Sequence, residues 1–126
     1  MTEVARMMNP DLMTLLEIQD LRSKIRELQD SEQLEALEQE HFNIDPEEAV
    51  DHLRSRIEAL EGELGDRIRR RYQRVAASLD RVVVPVINGV CYGCFVAVAT
   101  AVAREEDPNE SVQSCENCGR FLYFLS

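Results

Sequence analysis

Apolar residues recur in steps of three and four from Leu15 through Ile18, Leu21 and Ile25 to Leu28, the spacing of a single helical face and of a coiled-coil seam. Asn9-Pro10-Asp11 opens that run. Asn9 is a capping residue, Pro10 suits the first helical position, and Asp11 favours the positive end of the helix dipole. The seam slips between Leu28 and Leu34, across which a straight helix turns about 240°. Either the coil overwinds there or the helix breaks with Ser31 as a new cap.

A second amphipathic run carries Val50, Leu53, Ile57, Leu60 and Leu64, then Ile68, Tyr72, Val75 and Leu79 after an extra step. Asp45-Pro46-Glu47-Glu48 starts it with a cap, a first-position proline and a capping-box partner. Gly62 and Gly65 fall at the irregularity. Because glycine costs about 1 kcal/mol inside a helix, a kink or break is expected near Gly65, with Asp66 as the cap of a further helix. The two arms, 10–41 and 46–79, have nearly equal lengths of 32 and 34 residues. A short connection then predicts an antiparallel helical hairpin with its tip near 42–46.

The period changes after Asp80. Residues 82–87 are mostly β-branched, and Pro85 predicts an edge strand. Asn88-Gly89 signals a tight turn. Residues 95–98 and 121–124 read as two more short strands, 99–104 as a helical turn and 107–109 as a loop. The expected fold class is α+β: a tail over 1–8, a coiled-coil hairpin over 9–80, and a small β zinc ribbon over 81–126.

All four cysteines of the chain sit in the last of these segments, as Cys91-x2-Cys94-x20-Cys115-x2-Cys118. Each C-x2-C places two sulfurs on one side of a tight turn, and two such knuckles converge on a tetrahedral ion at about 2.3 Å. Four thiolates leave no open coordination position, so the expected cofactor is one structural Zn²⁺. Gly93 and Gly119 lie within and just after the knuckles, where small residues let backbone N–H groups approach the sulfurs. A 46-residue segment rarely buries enough apolar surface to fold alone, and a metal offsets that shortage.

Charge narrows the partners. The formal net charge is -10, and residues 1–45 carry 4 basic against 11 acidic side chains. Such a chain repels phosphate at long range, which disfavours duplex DNA. Arg67, Arg69, Arg70, Arg71 and Arg74 form the one basic cluster. It reads either as an RNA-binding surface or as a solvated helix face that balances the acidic first arm. No signal peptide or apolar membrane span is visible, and no catalytic constellation or phosphate-binding glycine loop occurs. The expectation is a cytoplasmic, non-enzymatic protein with neither a membrane nor a small-molecule substrate. In the cytoplasm, paired C-x-x-C motifs read as metal ligands rather than disulfides.

The stretches Asn88-Gly89-Val90-Cys91-Tyr92-Gly93-Cys94 and Cys115-Glu116-Asn117-Cys118-Gly119-Arg120-Phe121-Leu122-Tyr123 resemble a bacterial family that joins a coiled-coil hairpin to a C4-type zinc ribbon. The segment Leu15-Leu16-Glu17-Ile18-Gln19-Asp20-Leu21 and Tyr72 are also similar to it, and this chain is a short member by comparison. The resemblance implies zinc ligation by Cys91, Cys94, Cys115 and Cys118. It also implies a chaperone-like or regulatory adaptor, with a sigma factor among the partners; some relatives are implicated in messenger binding. A second likeness is architectural. Transcription factors that enter the secondary channel of RNA polymerase pair a hairpin of acidic tip with a C4 zinc module, and here Asp45, Glu47 and Glu48 occupy the expected tip. A capping box yields the same residues for helical reasons alone. The leading expectation is an adaptor acting on RNA polymerase or a sigma factor through its hairpin. The alternatives are RNA binding by the arginine cluster with the ribbon, and a chaperone switched by thiol oxidation and zinc release.

Overall fold

The computed structural model describes residues 8–30, 46–99 and 108–125. These contain three helices, α1 (Pro10–Asp30), α2 (Pro46–Glu63) and α3 (Asp66–Ser78). Four strands follow, β1 (Val83–Ile87), β2 (Val90–Cys91), β3 (Gln113–Ser114) and β4 (Phe121–Leu125), with a 3-10 turn at Pro108–Glu110 before β3. The architecture is α+β, and the strands form one sheet in the order β2-β1-β4-β3. The expected tail at 1–7, the Ser31 region, Asp45 with the rest of the hairpin tip up to it, and the helical turn at 100–104 lie outside the described residues.

The start of α1 follows its sequence signal: the Asp11 N–H donates to Asn9 Oδ1 at 2.8 Å, satisfying one open donor of the first turn. Helices α1 and α2 pack side by side with opposite chain directions. Asp11 lies beside Gly65, and Glu17 pairs with Arg56 at 3.3 Å, so low numbers in one helix meet high numbers in the other. The second arm is two helices, broken at Leu64-Gly65. Gly65 holds the capping position with extended backbone and no side-chain cap bond. Asp66 therefore does not cap α3 as expected; it is the first helical residue, where its carboxylate still meets the positive end of the dipole.

Two strand expectations need correction. Pro85 does not mark an edge, because β1 lies between β2 and β4. In a parallel ladder, alternate residues turn their backbone groups toward the same neighbour. The Phe121 N–H donates to Val82 O at 2.8 Å, so Val82, Val84 and Val86 address β4. Pro85 faces the other side, where β2 has already ended and where its carbonyl accepts the Tyr92 N–H at 3.0 Å. Its missing donor thus falls where no named strand requires one. Residues 95–98 likewise form no strand. Phe95 takes a left-handed φ of 61°, which turns the chain sharply, and Ala97 makes only an isolated bridge to Val90. The tight turn is as expected: Asn88 and Gly89 have φ of 53° and 76° and join β1 to β2 as a two-residue hairpin.

The parallel pair β1–β4 forms a partition with Val83 opposite Phe121 and Val84 opposite Leu122. One face meets the helices. Leu12, Leu15, Ile18, Ile57, Leu60, Leu64 and Tyr72 are buried in a single cluster with Val82, Val83 and Phe121. The other face meets the cysteines, where Val84, Val86 and Leu122 cluster with Cys91 and Cys115. Successive strand residues point to opposite faces, so one pair of strands serves both sides; Val82 joins the helical side from just ahead of β1.

Asn109 ties the distant ends of this arrangement together. Its side-chain amide exchanges two hydrogen bonds with the Phe124 backbone, donating to O at 2.9 Å and accepting from N–H at 2.8 Å. Its own carbonyl accepts the Asn9 N–H at 2.7 Å, and Asn9 Nδ2 donates to Glu110 O at 3.2 Å. Among the described residues, no helix is long and apolar enough to cross a membrane.

Candidate metal centre

The two C-x2-C segments adopt the same backbone design. In the first, the Cys91 N–H donates to Val96 O at 3.0 Å and the Phe95 N–H to Cys91 O at 2.7 Å. In the second, the Cys115 N–H donates to Arg120 O at 2.9 Å and the Gly119 N–H to Cys115 O at 2.8 Å. The residue four places after the leading cysteine has positive φ in both, 61° at Phe95 and 79° at Gly119. Glycine tolerates that conformation freely, whereas a bulky side chain is strained by it. Phe95 is also 71% exposed.

β2 and the turn after it present Cys91 and Cys94; the turn between β3 and β4 presents Cys115 and Cys118. All four cysteines are free thiols, and their sulfurs lie within 4.8 Å of one another. Cys91 Sγ is 3.8 Å from Cys118 Sγ, and Cys94 Sγ is 3.7 Å from Cys115 Sγ. A tetrahedron with metal–sulfur bonds of about 2.3 Å has edges of about 3.8 Å. The cluster therefore has the dimensions of a four-thiolate cage and is suited to hold one metal ion.

Electrostatics divides the four. Burial pushes the Cys91 thiol up to about 12, although backbone N–H groups of Cys94 and Gly93 bond its sulfur and favour the thiolate. Burial also raises Cys115, against N–H bonds from Cys118 and Asn117. Cys94 is held down to about 6, first by a hydrogen bond from the Asn117 side chain. A metal entering the cage thus meets one ready thiolate and must displace protons from the two buried thiols.

Gly93 meets its expectation, since its N–H reaches a sulfur. A further constraint is steric: a Cβ there would sit 2.9 Å from Arg120 Cδ and 3.1 Å from Val84 Cγ2. Arg120 lies across the first knuckle and donates from Nε to Arg81 O at 2.9 Å. At the second knuckle the N–H groups that reach a sulfur are those of Cys118 and Asn117, while Gly119 donates to the Cys115 carbonyl and its positive φ favours glycine. The roles of Asn117 and Arg120 were not anticipated, although both stand within or beside the second C-x2-C.

The other candidate residues lie apart from the cage. Glu47 and Glu48 are exposed in the first turn of α2. The arginine cluster is divided. Arg69 reaches back to the end of α2, donating to Glu61 O at 3.2 Å and Leu64 O at 2.9 Å. Arg71 Nη1 donates to Ser114 Oγ at 2.9 Å, tying α3 to β3. Arg67, Arg70 and Arg74 line a shallow exposed depression with Gln73 and Ala77.

Fold and site together define an α+β protein whose sheet carries a four-cysteine cluster able to take a metal. Among solved structures, the chain is similar to CT398 from Chlamydia trachomatis, at 30% identity and a TM-score of 0.53. The similarity covers 64% of this chain and 34% of CT398, so this chain spans about a third of that protein's length. No protein-family model matches the chain, and no curated protein matches it.

Proposed function

We propose that Cys91, Cys94, Cys115 and Cys118 hold one structural Zn²⁺ in a C4-type zinc ribbon, and that the protein is a non-enzymatic cytoplasmic adaptor of the coiled-coil plus zinc-ribbon kind. The observation that carries this reading is the sulfur cage, built by two knuckles of matching backbone design with edges of 3.7 and 3.8 Å. Four sulfur ligands favour zinc, and they leave no position for water or substrate. The ion acts by fixing the turns that close the sheet.

The adaptor acts by presentation. Antiparallel helices form a stiff arm whose acidic end, with Glu47 and Glu48 exposed in the first turn of α2, is offered to a basic surface on RNA polymerase or a sigma factor. The metal-pinned sheet holds the base of that arm. The test combines native mass spectrometry with affinity recovery from the protein's own cells, using the intact chain and Asp45→Lys. One zinc per chain is expected, with a polymerase or sigma component recovered by the intact protein and lost with Asp45→Lys. A zinc-loaded chain that recovers no such component would refute the adaptor role while leaving the metal site intact. The exposure of Arg67, Arg70 and Arg74 on one face of α3 supports a second reading, RNA binding, for which recovery of RNA instead would decide.

A further inference from the structure

A cleft of about 780 Å³ opens between α1, the middle of α2 and the end of α3, well away from the cysteines. Arg22, Arg26, Arg54 and Arg81 line it against Asp30 and Asp80. Among the described residues, four guanidinium groups facing two carboxylates make this a basic concavity in a chain of net charge -10.

The charges are unevenly answered. Arg26 pairs with Asp80 at 2.6 Å, and Arg54 stands 4.0 Å from Asp51. The Arg81 side chain has no ion-pair partner among the described residues. Arg22 is the unusual member. Its Nη2 donates to two neutral carbonyls at the end of α3, Ala76 O at 3.5 Å and Leu79 O at 3.3 Å. Its Nη1 is shut from solvent and meets no acceptor in hydrogen-bonding geometry among the described residues. The Arg22 side chain also engages the Tyr72 hydroxyl, which the Glu61 carboxylate engages as well, so its charge is partly answered. A half-buried guanidinium without a carboxylate directly against it raises the potential of the space it borders. Arg22 thus supplies field at the cleft wall, and the more exposed Arg54 and Arg81 supply reachable donors. Forked guanidinium groups match phosphoryl oxygens in geometry as well as charge.

We propose that this cleft binds a small phosphoryl-bearing anion, with Arg54 and Arg81 as its contacts and the half-buried Arg22 as the charge at its wall that favours it. The site is independent of the sulfur cage and of the adaptor reading.

Calorimetric titration of the zinc-loaded chain tests it, with phosphate, pyrophosphate and succinate at ionic strength held constant with chloride. Saturable binding of one pyrophosphate per chain is expected, with phosphate weaker and succinate weaker than pyrophosphate by about tenfold or more. Arg54→Gln/Arg81→Gln should weaken pyrophosphate by about tenfold or more. Arg67→Gln/Arg70→Gln/Arg74→Gln, on the exposed face of α3, should leave it unchanged. All these positions except Arg22 are solvent-facing, and circular dichroism of each variant checks that the fold is kept. Non-saturable heats, equal loss in both variants, or succinate binding as tightly as pyrophosphate would each overturn the proposal.

Discussion

The two faces of the β1–β4 partition bury their residues by different means. Toward the helices, Phe121 and Val83, with Val82 just ahead of β1, join seven large buried side chains from the three helices and the Leu64 break. Toward the cysteines, Val84, Val86 and Leu122 are the buried aliphatic residues, and two of their buried neighbours are thiols. The first face closes with hydrocarbon, and each buried aliphatic side chain there contributes about 1.5–3 kcal/mol. Among the described residues the second has little hydrocarbon to close with, and an ion gathering the sulfurs would make up for it. A two-residue strand on each edge of the sheet cannot replace that missing interior. One sheet thus carries a side closed by hydrocarbon and a side that a metal ion is expected to complete.

The largest expected effect comes from removing the ion. Structural zinc contributes on the order of 10 kcal/mol in small domains, so chelation should abolish strand signal in circular dichroism and expose all four thiols to a reagent. Helical signal should survive in large part, though diminished, because Phe121 leaves the helical cluster with β4. Retention should also weaken from about pH 8 to about pH 6, since protons on the buried Cys91 and Cys115 compete with the metal. An apo chain with unchanged strand signal would erase the contrast between the faces.

Adjacent residues of β4 sharpen it next. Phe121→Ala should cost about 3–5 kcal/mol, read by thermal melting of the helices while zinc stays bound. Leu122→Ala should cost about 2–4 kcal/mol and appear chiefly as faster zinc loss to a chelator. Identical signatures would mean that the sheet does not separate the two sides.

The smallest effect compares the knuckles. Phe95→Gly should raise stability by about 1 kcal/mol by relieving a strained left-handed residue, and Gly119→Ala should lower it by about the same amount. Denaturant midpoints of the zinc-loaded variants would show this. A loss of stability in Phe95→Gly would mean that the exposed ring contributes packing, for instance through Tyr92, whose ring centroid lies 5.5 Å away.

The periodic and capping signals were legible in the sequence. Asn9 at the start of α1, the Gly65 break and the Asn88-Gly89 turn are local events, decided by residues within a few positions of one another. The cysteine spacing announced the sulfur cluster for the same reason. What escaped was non-local. Pro85 reads as an edge residue by propensity, yet its place is set by Cys91 and Phe121 pairing on either side of β1. β3 has only Gln113 and Ser114, too short and polar to show a period. Arg69 and Arg71 looked like members of one charged patch, but helix ends and a distant serine divide them. The cleft around Arg22 joins α1 to residues more than fifty positions away, a juxtaposition that no spacing rule encodes.

The Asn109 clasp bears on the order in which the molecule can assemble. During synthesis, the apolar faces of α1, α2 and α3 emerge long before Phe121 is made, so the helices can associate early around an unfinished core. The backbone amide of Asn9, the residue that caps α1, must then wait, because it is received by a residue a hundred places later, itself held by Phe124. Closure of this long loop is entropically slow. The Asn9 amide should therefore be among the last in the protein to gain protection from hydrogen exchange during refolding, later than the amides within α1.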